Sequence, residues 1–306
     1  MTARSAAGSV MRIARPVGRR APRIIRHPGS AMAELALAAL EASYPFTPGV
    51  STLTGFPVRF THPHSFLAQY EAIFRNEAYA CRPGRPDPVI FDCGANIGLA
   101  SIYWLSRYPG ARITCFEPDP SIAAVLRDNL EAARAHFGLE RVGEMPDTTT
   151  PEHVPSTSIG SVRVVEAALW IETGSKSFTE QGAGAGHLGG GGRVVPTVRL
   201  SDYLEAHVTT AGGRVDLLKV DIEGAEVDVL TDCEPWLGFV DALFVEFHSS
   251  AGRPQRFDEL VGILTRAGFR LALETEFAPR HPFVAREVHE GFDLQLNVYA
   301  YREPSS

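Results

Sequence analysis

Long apolar runs and an excess of positive charge are both missing from this chain of 306 residues. No stretch reaches the roughly 18 apolar residues that a membrane-spanning helix needs, and the formal net charge is −7. An acidic balance disfavours nucleic acid as the main partner, because phosphate backbones bind basic surfaces. With 44% hydrophobic residues, the chain can bury a core. We therefore expect a protein with no membrane span and with no nucleic acid as its main partner.

Cysteine is scarce and shows no metal-site spacing. The four cysteines are Cys81, Cys93, Cys115 and Cys233, and no two of them form a C-x-x-C pair. Isolated thiols are typical of a reducing compartment, so we expect a cytoplasmic protein with no metal site built on cysteine. Cys93 and Cys115 fall in predicted strands, where free cysteine behaves as a small buried hydrophobe.

Arginine is concentrated at the N-terminus. Seven arginines precede the first acidic residue, Glu34, in a segment rich in Ala, Gly and Pro. This composition predicts a disordered, Arg-rich leader over residues 1–30. A transit-like signal and an arm that contacts anions stay open as alternatives, although the leader lacks an apolar signal core.

Strands and helices alternate from residue 89 onward, and residues 89–306 are predicted to form the main domain. The N-terminal helical segment before it, residues 31–88, is predicted to contain a helix at 31–42, a strand at 58–60 and a helix within 65–79. The strands predicted in the main domain are 89–93, 112–116, 162–166, 215–220, 242–247, 269–274 and 294–301. This alternation is typical of an α/β, doubly wound, mostly parallel sheet of the Rossmann-like type. The last strand is predicted to be antiparallel, at the sheet edge.

Two segments interrupt this alternation. Residues 144–161 are rich in Pro, Thr and Ser and are predicted to be a surface loop without an assigned function. Residues 175–199 are predicted to be a hairpin, because two strand-like pieces flank seven glycines between positions 182 and 192. Glycine raises the entropy cost of ordering the tip, so the tip is either a floppy turn or a lid that closes over substrate.

A glycine-rich turn follows the first strand of the main domain. Residues 92–98 read DCGANIG and lead into a helical pattern. This order of strand, turn and helix places backbone N–H groups and a helix N-terminus around a nucleotide-type cofactor. The next strand ends at Glu117, whose carboxylate can accept hydrogen bonds from the two hydroxyls of a ribose. The pattern therefore predicts a cofactor that contains a ribose.

The same turn distinguishes between two cofactors. It lacks the G-x-G-x-x-G pattern of a dinucleotide site, and the carboxylate of Asp92 would repel a pyrophosphate. S-adenosylmethionine (SAM) presents an α-amino group, a sulfonium and a ribose but no phosphate. We therefore predict that Asp92 faces the methionine amine, that Gly94 and Gly98 permit close approach, and that Glu117 holds the ribose. A dehydrogenase is the alternative, and it would need a pyrophosphate beside Asp92.

Acidic side chains cluster at the ends of two later strands. Residues 216–226 (DLLKVDIEGAE) place Asp221 at the end of a buried strand, with Lys219 on the same side of it as a possible electrostatic anchor. Because ligands bind beyond the carboxyl ends of parallel strands, several side chains are predicted to meet at one rim. They are Asp221, Glu223, Glu226, Glu246 and His248. Such a set can supply a general base.

The same acids are also candidate ligands for a divalent cation, since Mg and Ca prefer hard oxygen ligands. We do not favour a metal. Methyl transfer from a sulfonium releases a neutral leaving group, so the enzyme mainly has to position and deprotonate the acceptor.

Four short motifs occur in a defined order along the chain. They are DCGANIG at 92–98, FEPD at 116–119, LKVDIEGAE at 218–226 and FVEFH at 244–248. Together they resemble the FkbM family of SAM-dependent methyltransferases over residues 65–269, and the family's K-x-D-x-E-G-x-E phrase is complete. The resemblance implies a seven-stranded class I methyltransferase fold with an antiparallel last strand. It also implies O-methylation of hydroxyls on sugars or secondary metabolites, and hence a small-molecule or glycan acceptor.

The resemblance further implies which residues contact the cofactor. These are Asp92, Gly94, Asn96, Gly98 and Glu117. The adenine is expected beside residues 166–168, around Ala167, although no acidic contact follows that strand.

The sequence therefore predicts an O-methyltransferase in which Asp221 or His248 deprotonates the acceptor, with Glu223 in the same catalytic set. N-methylation of an amine is an alternative, because a neutral amine needs less help from a base. A non-catalytic SAM-binding protein is another, since fold alone does not decide function. The sequence carries no readable code for the acceptor or for the oligomeric state.

Overall fold

The computed structural model describes residues 35, 39, 47–139, 149–159, 161–181, 185–188, 192–211 and 213–302. The predictions for the Arg-rich leader, for most of the helix at 31–42, and for parts of the 144–161 loop and the glycine-rich tip concern residues outside this set. Within the described residues, no helix is both long and apolar enough to cross a membrane.

The described residues form a succession of strands and helices. The strands are β1 (Gly49–Ser51), β2 (Val58–Phe60), β3 (Val89–Cys93), β4 (Arg112–Phe116), β5 (Ser156–Ile159), β6 (Val162–Val165), β7 (Ala168–Leu169), β8 (Gly174–Gln181), β9 (Ala185–Leu188), β10 (Arg193–Val198), β11 (Val215–Val220), β12 (Val240–Ser250), β13 (Arg270–Phe277) and β14 (Phe292–Tyr301). The α-helices are α1 (Pro63–Tyr70), α2 (Leu99–Arg107), α3 (Pro120–Phe137), α4 (Leu200–Ala211), α5 (Glu226–Cys233) and α6 (Phe257–Arg266). A π-helical turn (Glu71–Arg75) continues α1, and a 3-10 helix (Glu234–Phe239) continues α5.

An eight-stranded sheet positions the functional elements. Its order is β13-β14-β12-β11-β3-β4-β6-β5. The five strands from β12 to β6 pair in parallel, with β3 at the centre and the chain winding outward on both sides of it. This arrangement confirms the α/β, doubly wound, mostly parallel sheet, and it creates a switch point beyond the carboxyl end of β3 where ligands bind in such folds.

The sheet differs from the expectation at its two sides. The last strand, β14, is antiparallel as predicted, but it lies between β12 and β13 and not at the edge. The sheet also has an eighth strand, because β5 pairs antiparallel with β6 inside the segment predicted to be a loop. The segment Ser156–Ile159 is short and mostly polar, so it has no apolar alternation that would identify it as a strand.

Local signals define the elements around the switch point. The carboxylate of Asp119 accepts hydrogen bonds from the N–H groups of Ser121 and Ile122, which caps the N-terminus of α3. Gly138 ends the same helix with a φ of +64°. Gly98 begins α2 with a φ of +89°.

A second, four-stranded sheet has the order β7-β10-β8-β9. Antiparallel pairing of β8 with β10 confirms the hairpin predicted at 175–199. The glycine-rich segment also contributes a strand of its own, because β9 pairs antiparallel with β8. Glycine has a low strand propensity, which is why the sequence did not predict β9.

The N-terminal segment shares a hydrophobic core with the main sheet. Phe60 of β2 and Phe66 of α1 pack in the same buried cluster as Ile90 of β3 and Ile102 of α2. Through these contacts, α1 and the π-helical turn are held against one side of the switch point.

Candidate active site

A cleft of about 350 Å³ opens at the switch point, within the usual size range of small-molecule sites. Its walls are the turn after β3, the residues after β4, β6 and β11, and parts of β12 and β14, with α1 and the π-helical turn on one side. The predicted site residues that line it are Gly94, Asn96, Glu117, Ala167, Asp221 and Glu223. Asp92, Gly98 and His248 lie outside this lining.

The turn between β3 and α2 depends on close backbone packing. Gly94 has a φ of +80°, and a Cβ there would fall on the carbonyl oxygen of Asp221. A Cβ at Gly98 would lie 2.5 Å from Cδ1 of Leu126 on α3. Glycine at these positions therefore lets the turn approach the end of β11 and lets α2 pack on α3.

Asp92 is completely buried beneath this turn. Its Oδ2 accepts a hydrogen bond from the Ser101 hydroxyl at 2.8 Å, and its Oδ1 lies 3.4 Å from Nζ of Lys219. The ammonium that faces Asp92 in this structure is therefore a lysine of the protein. Contact between Asp92 and the methionine amine stays a prediction. Because the Asp92 carboxylate is buried below the surface of the cleft, the amine would have to enter beneath that surface to reach it.

Lys219 joins the glycine turn to the next strand. Its Nζ donates a hydrogen bond to the Gly94 carbonyl at 2.8 Å and lies 3.4 Å from Oδ2 of Asp221. Burial alone would lower the pKa of this lysine, but the carboxylates of Asp221 and Asp92 raise it well above its usual value. The ammonium is therefore charged, and the predicted electrostatic anchoring of Asp221 by Lys219 is confirmed.

Glu117 lies at the end of β4 and is oriented by backbone groups. Its Oε1 accepts a hydrogen bond from the Asp119 N–H at 2.9 Å, and its Oε2 accepts one from the Asn96 N–H at 3.0 Å. Burial raises the pKa of this carboxyl group to about 7. Each oxygen has a further lone pair, so the carboxylate can also accept hydrogen bonds from hydroxyls of a ligand in the cleft.

The expected adenine wall lies between β6 and β7. Ala167 is fully buried and lines the cleft together with Ala168 and Leu169. Glu166 is not part of the lining and pairs with Arg127 of α3. The wall is therefore apolar, which suits the face of a flat base.

Asp221 and Glu223 follow β11 and face the cleft. The side chain of each is 24% exposed. Glu223 has a φ of +56°, a conformation that a residue with a Cβ seldom adopts. Burial raises the pKa of Glu223 to about 8, so its carboxyl group is mostly protonated at neutral pH and can donate a hydrogen bond.

Glu226 and His248 form a buried pair behind these two acids. Oε1 of Glu226 accepts a hydrogen bond from the Gly224 N–H at 2.9 Å and lies 3.0 Å from Nδ1 of His248. Burial alone would lower the pKa of His248, but Glu226, Glu246 and Glu223 raise it well above its usual value. The imidazole is therefore protonated at neutral pH.

The other ring nitrogen of His248 also faces acids. Its Nε2 lies 3.5 Å from Oε2 of Glu223 and 3.6 Å from Oε1 of Glu246. The predicted meeting of these acids and the histidine at one rim is thereby confirmed. A ring that is already protonated has no lone pair to accept a proton, so the geometry favours Asp221 over His248 as the base.

A family model links this geometry to known proteins. The methyltransferase FkbM domain matches residues 92–271, which is more than half of the chain. That range contains the glycine turn, Glu117, the Lys219 contacts and the acidic rim. This protein belongs to the FkbM methyltransferase family.

Individual relatives agree with this FkbM assignment. The methyltransferase sdnD of Sordaria araneosa is 33% identical over 227 residues, which are 69% of this chain and 85% of sdnD. The 31-O-demethyl-FK506 methyltransferase FkbM of Streptomyces tacrolimicus is 28% identical over 72% of this chain and 86% of that protein. The 2-O-methyltransferase NoeI of Sinorhizobium fredii is 30% identical over 53% of this chain and 64% of that protein. The protein is thus a methyltransferase by family.

Several residues that line the cleft of this FkbM protein were not predicted as site residues from the sequence. Tyr79 and Phe244 contribute aromatic rings whose centroids lie 4.8 Å apart. Gln295 and Asn297 of β14 and Glu276 of β13 add polar groups. These residues come from distant parts of the chain, and of the five only Phe244 lies in one of the four motifs, FVEFH at 244–248. The alternation of Gln295 and Asn297 on one face of a strand was the available signal.

The acidic rim also has the composition of a cation site. One ligand atom each from Asp221, Glu223 and His248 can lie within 4.8 Å of the others. Two cationic side chains of the FkbM protein, Lys219 and His248, already lie among these acids. The rim therefore carries compensating positive charge of its own.

Proposed function

We propose that this protein transfers the methyl group of SAM to a hydroxyl of a sugar or secondary metabolite. The observation that carries the proposal is the position of the Asp221 carboxylate, which faces the cleft 3.4 Å from Lys219. The same ammonium donates a hydrogen bond to Gly94 in the glycine turn. One lysine therefore connects the proposed base to the turn that would hold the methyl donor.

The donor half of the cleft suits SAM better than a dinucleotide. Glu117 offers a carboxylate for ribose hydroxyls, and Ala167 lies in an apolar wall for the base. Among the described residues that line the cleft, Lys219 is the only lysine or arginine, and it is paired with Asp92 and Asp221. A pyrophosphate would therefore find no available counter-charge, whereas SAM has no phosphate to neutralise.

The acceptor half can prepare a hydroxyl for attack. SAM would supply an electrophilic methyl group beside this rim. Asp221 would accept the proton of the acceptor hydroxyl at its carboxylate, and Lys219 would hold that carboxylate in place. Glu223 would donate a hydrogen bond that orients the acceptor, and the charge of His248 would hold Glu226 and Glu246 in position.

The names of two relatives support transfer to oxygen. One is a 31-O-demethyl-FK506 methyltransferase and the other a 2-O-methyltransferase. N-methylation remains the alternative, and it predicts a flat activity profile between about pH 7 and 9, because a neutral amine needs less help from a base.

The four cysteines are free thiols, which supports the proposed cytoplasmic location.

Calorimetry with SAM, S-adenosylhomocysteine and NAD, on the wild type and on Glu117→Ala, tests the cofactor. We expect SAM and S-adenosylhomocysteine to bind the wild type and to bind the Glu117→Ala variant far more weakly. We expect NAD to bind neither protein. Binding of NAD alone would contradict the proposal. A screen of hydroxylated and aminated acceptors with labelled SAM then separates O-methylation, N-methylation and binding without turnover.

A further inference from the structure

Strand β14 carries two amide side chains that face the cleft. Leu294 and Leu296 pack against the buried core beside the main sheet. Because successive side chains of a strand point to opposite faces, Gln295 and Asn297 point away from that core, and both line the cleft. In the ladder with β12, Gln295 stands directly opposite His248. Gln295 is therefore one strand away from the histidine of the acidic rim.

Gln295 is buried without a hydrogen-bond partner. It is 7% exposed, yet its amide makes no hydrogen bond to any residue that the structure describes. The ring nitrogens of His248 are not available to it, because Nδ1 lies 3.0 Å from Glu226 and Nε2 lies 3.5 Å from Glu223. A side-chain amide offers two N–H donors and a carbonyl acceptor, and leaving such groups unpaired in a buried place costs free energy. A partner for this amide therefore has to come from the cleft.

The protein holds the two amides of β14 in different ways. Nδ2 of Asn297 donates a hydrogen bond to Oε2 of Glu276 at 3.3 Å, so Asn297 is oriented by a neighbouring strand. Gln295 has no such contact among the described residues. The orientation of its amide is left to a group bound in the cleft.

The charges around Gln295 favour a neutral partner. Glu276 and Glu290 line the same cleft, and their carboxylates would repel an anion. The protonated ring of His248, directly opposite Gln295, would repel a cation. A hydroxyl is neutral, and it can accept a hydrogen bond from the amide N–H or donate one to the amide carbonyl. A hydroxyl group therefore suits this position.

We propose that Gln295 binds a second hydroxyl of the acceptor, so that the protein selects sugars and other polyols over alcohols with a single hydroxyl. This inference rests on the proposed methyl transfer to a hydroxyl and narrows the substrate class of the same site. Asp221 follows β11, two strands from β14 in the sheet, which is about 10 Å between backbones. One hydroxylated ring can therefore present its reacting hydroxyl to Asp221 and another hydroxyl to Gln295.

The aromatic part of the lining agrees with a ring-shaped acceptor. The rings of Tyr79 and Phe244 both line the cleft. Aromatic rings offer an apolar surface against which the carbon skeleton of a sugar ring can pack. The cleft thus combines an apolar surface for the ring with an unpaired amide for one of its hydroxyls.

Transfer from labelled SAM to matched acceptors tests the inference. The acceptors are cyclohexane-1,2-diol beside cyclohexanol, and the methyl glycosides of glucose, galactose and mannose beside their monodeoxy derivatives. The wild type should favour the acceptor that has the second hydroxyl on the order of 100-fold in kcat/KM, because its absence leaves the buried amide unpaired. Gln295→Met should remove most of this preference, mainly by raising KM for the polyol.

Two controls separate recognition from a structural role. Gln295→Met keeps the length of the side chain and removes both polar ends, and Gln295→Leu is a second variant in case methionine packs poorly. An amide without a protein partner predicts that neither change lowers the melting temperature. Gln255→Met, at an exposed position outside the cleft lining, should keep the wild-type preference.

Three results would overturn the inference. They are equal kcat/KM for polyols and single-hydroxyl alcohols, a polyol preference that Gln295→Met leaves unchanged, and transfer to none of the polyols by a protein that binds SAM. Calorimetry with SAM reads the donor site separately, and Gln295→Met should bind SAM as the wild type does. A wild type that does not bind SAM would instead contradict the proposed function.

Discussion

The proposed donor half and the proposed acceptor half of the cleft are built in different ways. The donor half uses backbone conformation, because Gly94, Asn96 and Gly98 all have positive φ and Glu117 is oriented by two N–H groups. The acceptor half uses side-chain charge, because Asp221, Glu223, Glu226 and Glu246 surround Lys219 and His248. The positive φ angles of the turn are set by residues close in sequence, whereas the charge network collects residues from β11, the turn after it, the start of α5 and β12.

This difference predicts that substitutions in the two halves will have separable effects. Changes in the donor half should act on SAM affinity, and changes in the acceptor half should act on turnover. Lys219 belongs to both, since it contacts Gly94 and Asp221, and should affect the stability of the protein as a whole.

The largest expected effect is on turnover. Asp221→Asn removes the proposed base, so kcat should fall on the order of 10²- to 10⁴-fold while SAM affinity changes little. Steady-state methyl transfer and calorimetry measure the two quantities. Asp258→Asn, on the exposed first turn of α6, is the matched control and should keep both. Equal losses of affinity and turnover in Asp221→Asn would show that the two halves are not separable.

Lys219→Met should lower the free energy of unfolding by about 3–5 kcal/mol, because it leaves the buried carboxylate of Asp92 without its counter-charge. Urea unfolding measures this loss. The double variant with Asp92→Asn should recover part of it, since the uncompensated charge is then absent. A double variant as unstable as the sum of the two single variants would argue against the ion pair.

Gly94→Ala should weaken SAM binding about 10- to 100-fold, because a strained φ alone costs about 1–3 kcal/mol. Gly84→Ala is the control, because no heavy atom lies within 4 Å of a Cβ at that position. Calorimetry should show the loss only at position 94. Unchanged binding in Gly94→Ala would mean that the glycine turn does not hold the donor.

The affinity of the proposed donor half for SAM should also depend on pH, because of Glu117. With a pKa of about 7, the carboxyl group of Glu117, the proposed acceptor of the ribose hydrogen bonds, is about half ionised at neutral pH and mostly ionised above it. SAM affinity should therefore fall about tenfold between pH 8 and pH 6, and Glu117→Gln should abolish this dependence.

The stability of the unliganded protein should depend on pH in the opposite sense, decreasing as the pH rises. The folded state binds this proton more tightly than the unfolded state, so the Glu117 contribution falls as pH rises from about 4.5 toward 7.

The smallest expected effect is that of removing divalent metal ions on the rate of methyl transfer. Lys219 and His248 already compensate the acidic rim, so treatment with a chelator should change the rate by less than about twofold. Methyl transfer measured before and after dialysis against EDTA, and again after addition of Mg²⁺, checks this. A rate that disappears and returns with Mg²⁺ would assign the rim to a divalent cation held by Asp221, Glu223 and His248.

Much of the fold could be predicted because it depends on local signals. The bounds of β4 matched the strand predicted at 112–116, since its apolar residues end just before the Asp119 cap of α3. Strand β5 and helix α4 were not predicted. The pairing of β5 with β6 supplies what its short, polar sequence lacks.

The arrangement of the site residues could be predicted to about the same extent as the fold. The residues expected to meet at the rim do meet, because the ends of parallel strands share one edge of the sheet. The direction in which Asp92 faces and the charge of His248 could not be predicted from the sequence. Both depend on which partners lie within a few ångströms after folding, namely Lys219 for the first and Glu226 for the second.

The sequence by itself determined the doubly wound sheet, the glycine turn and the meeting of acids at the strand ends, because hydrophobic period and positive φ are local requirements of the backbone. Only the tertiary structure decided that Lys219 connects the proposed donor and acceptor halves, that His248 is a buried cation, and that aromatic and amide groups from distant parts of the chain line the same cleft. Burial and Coulomb interactions depend on distances through space, and those distances exist only once the strands are packed.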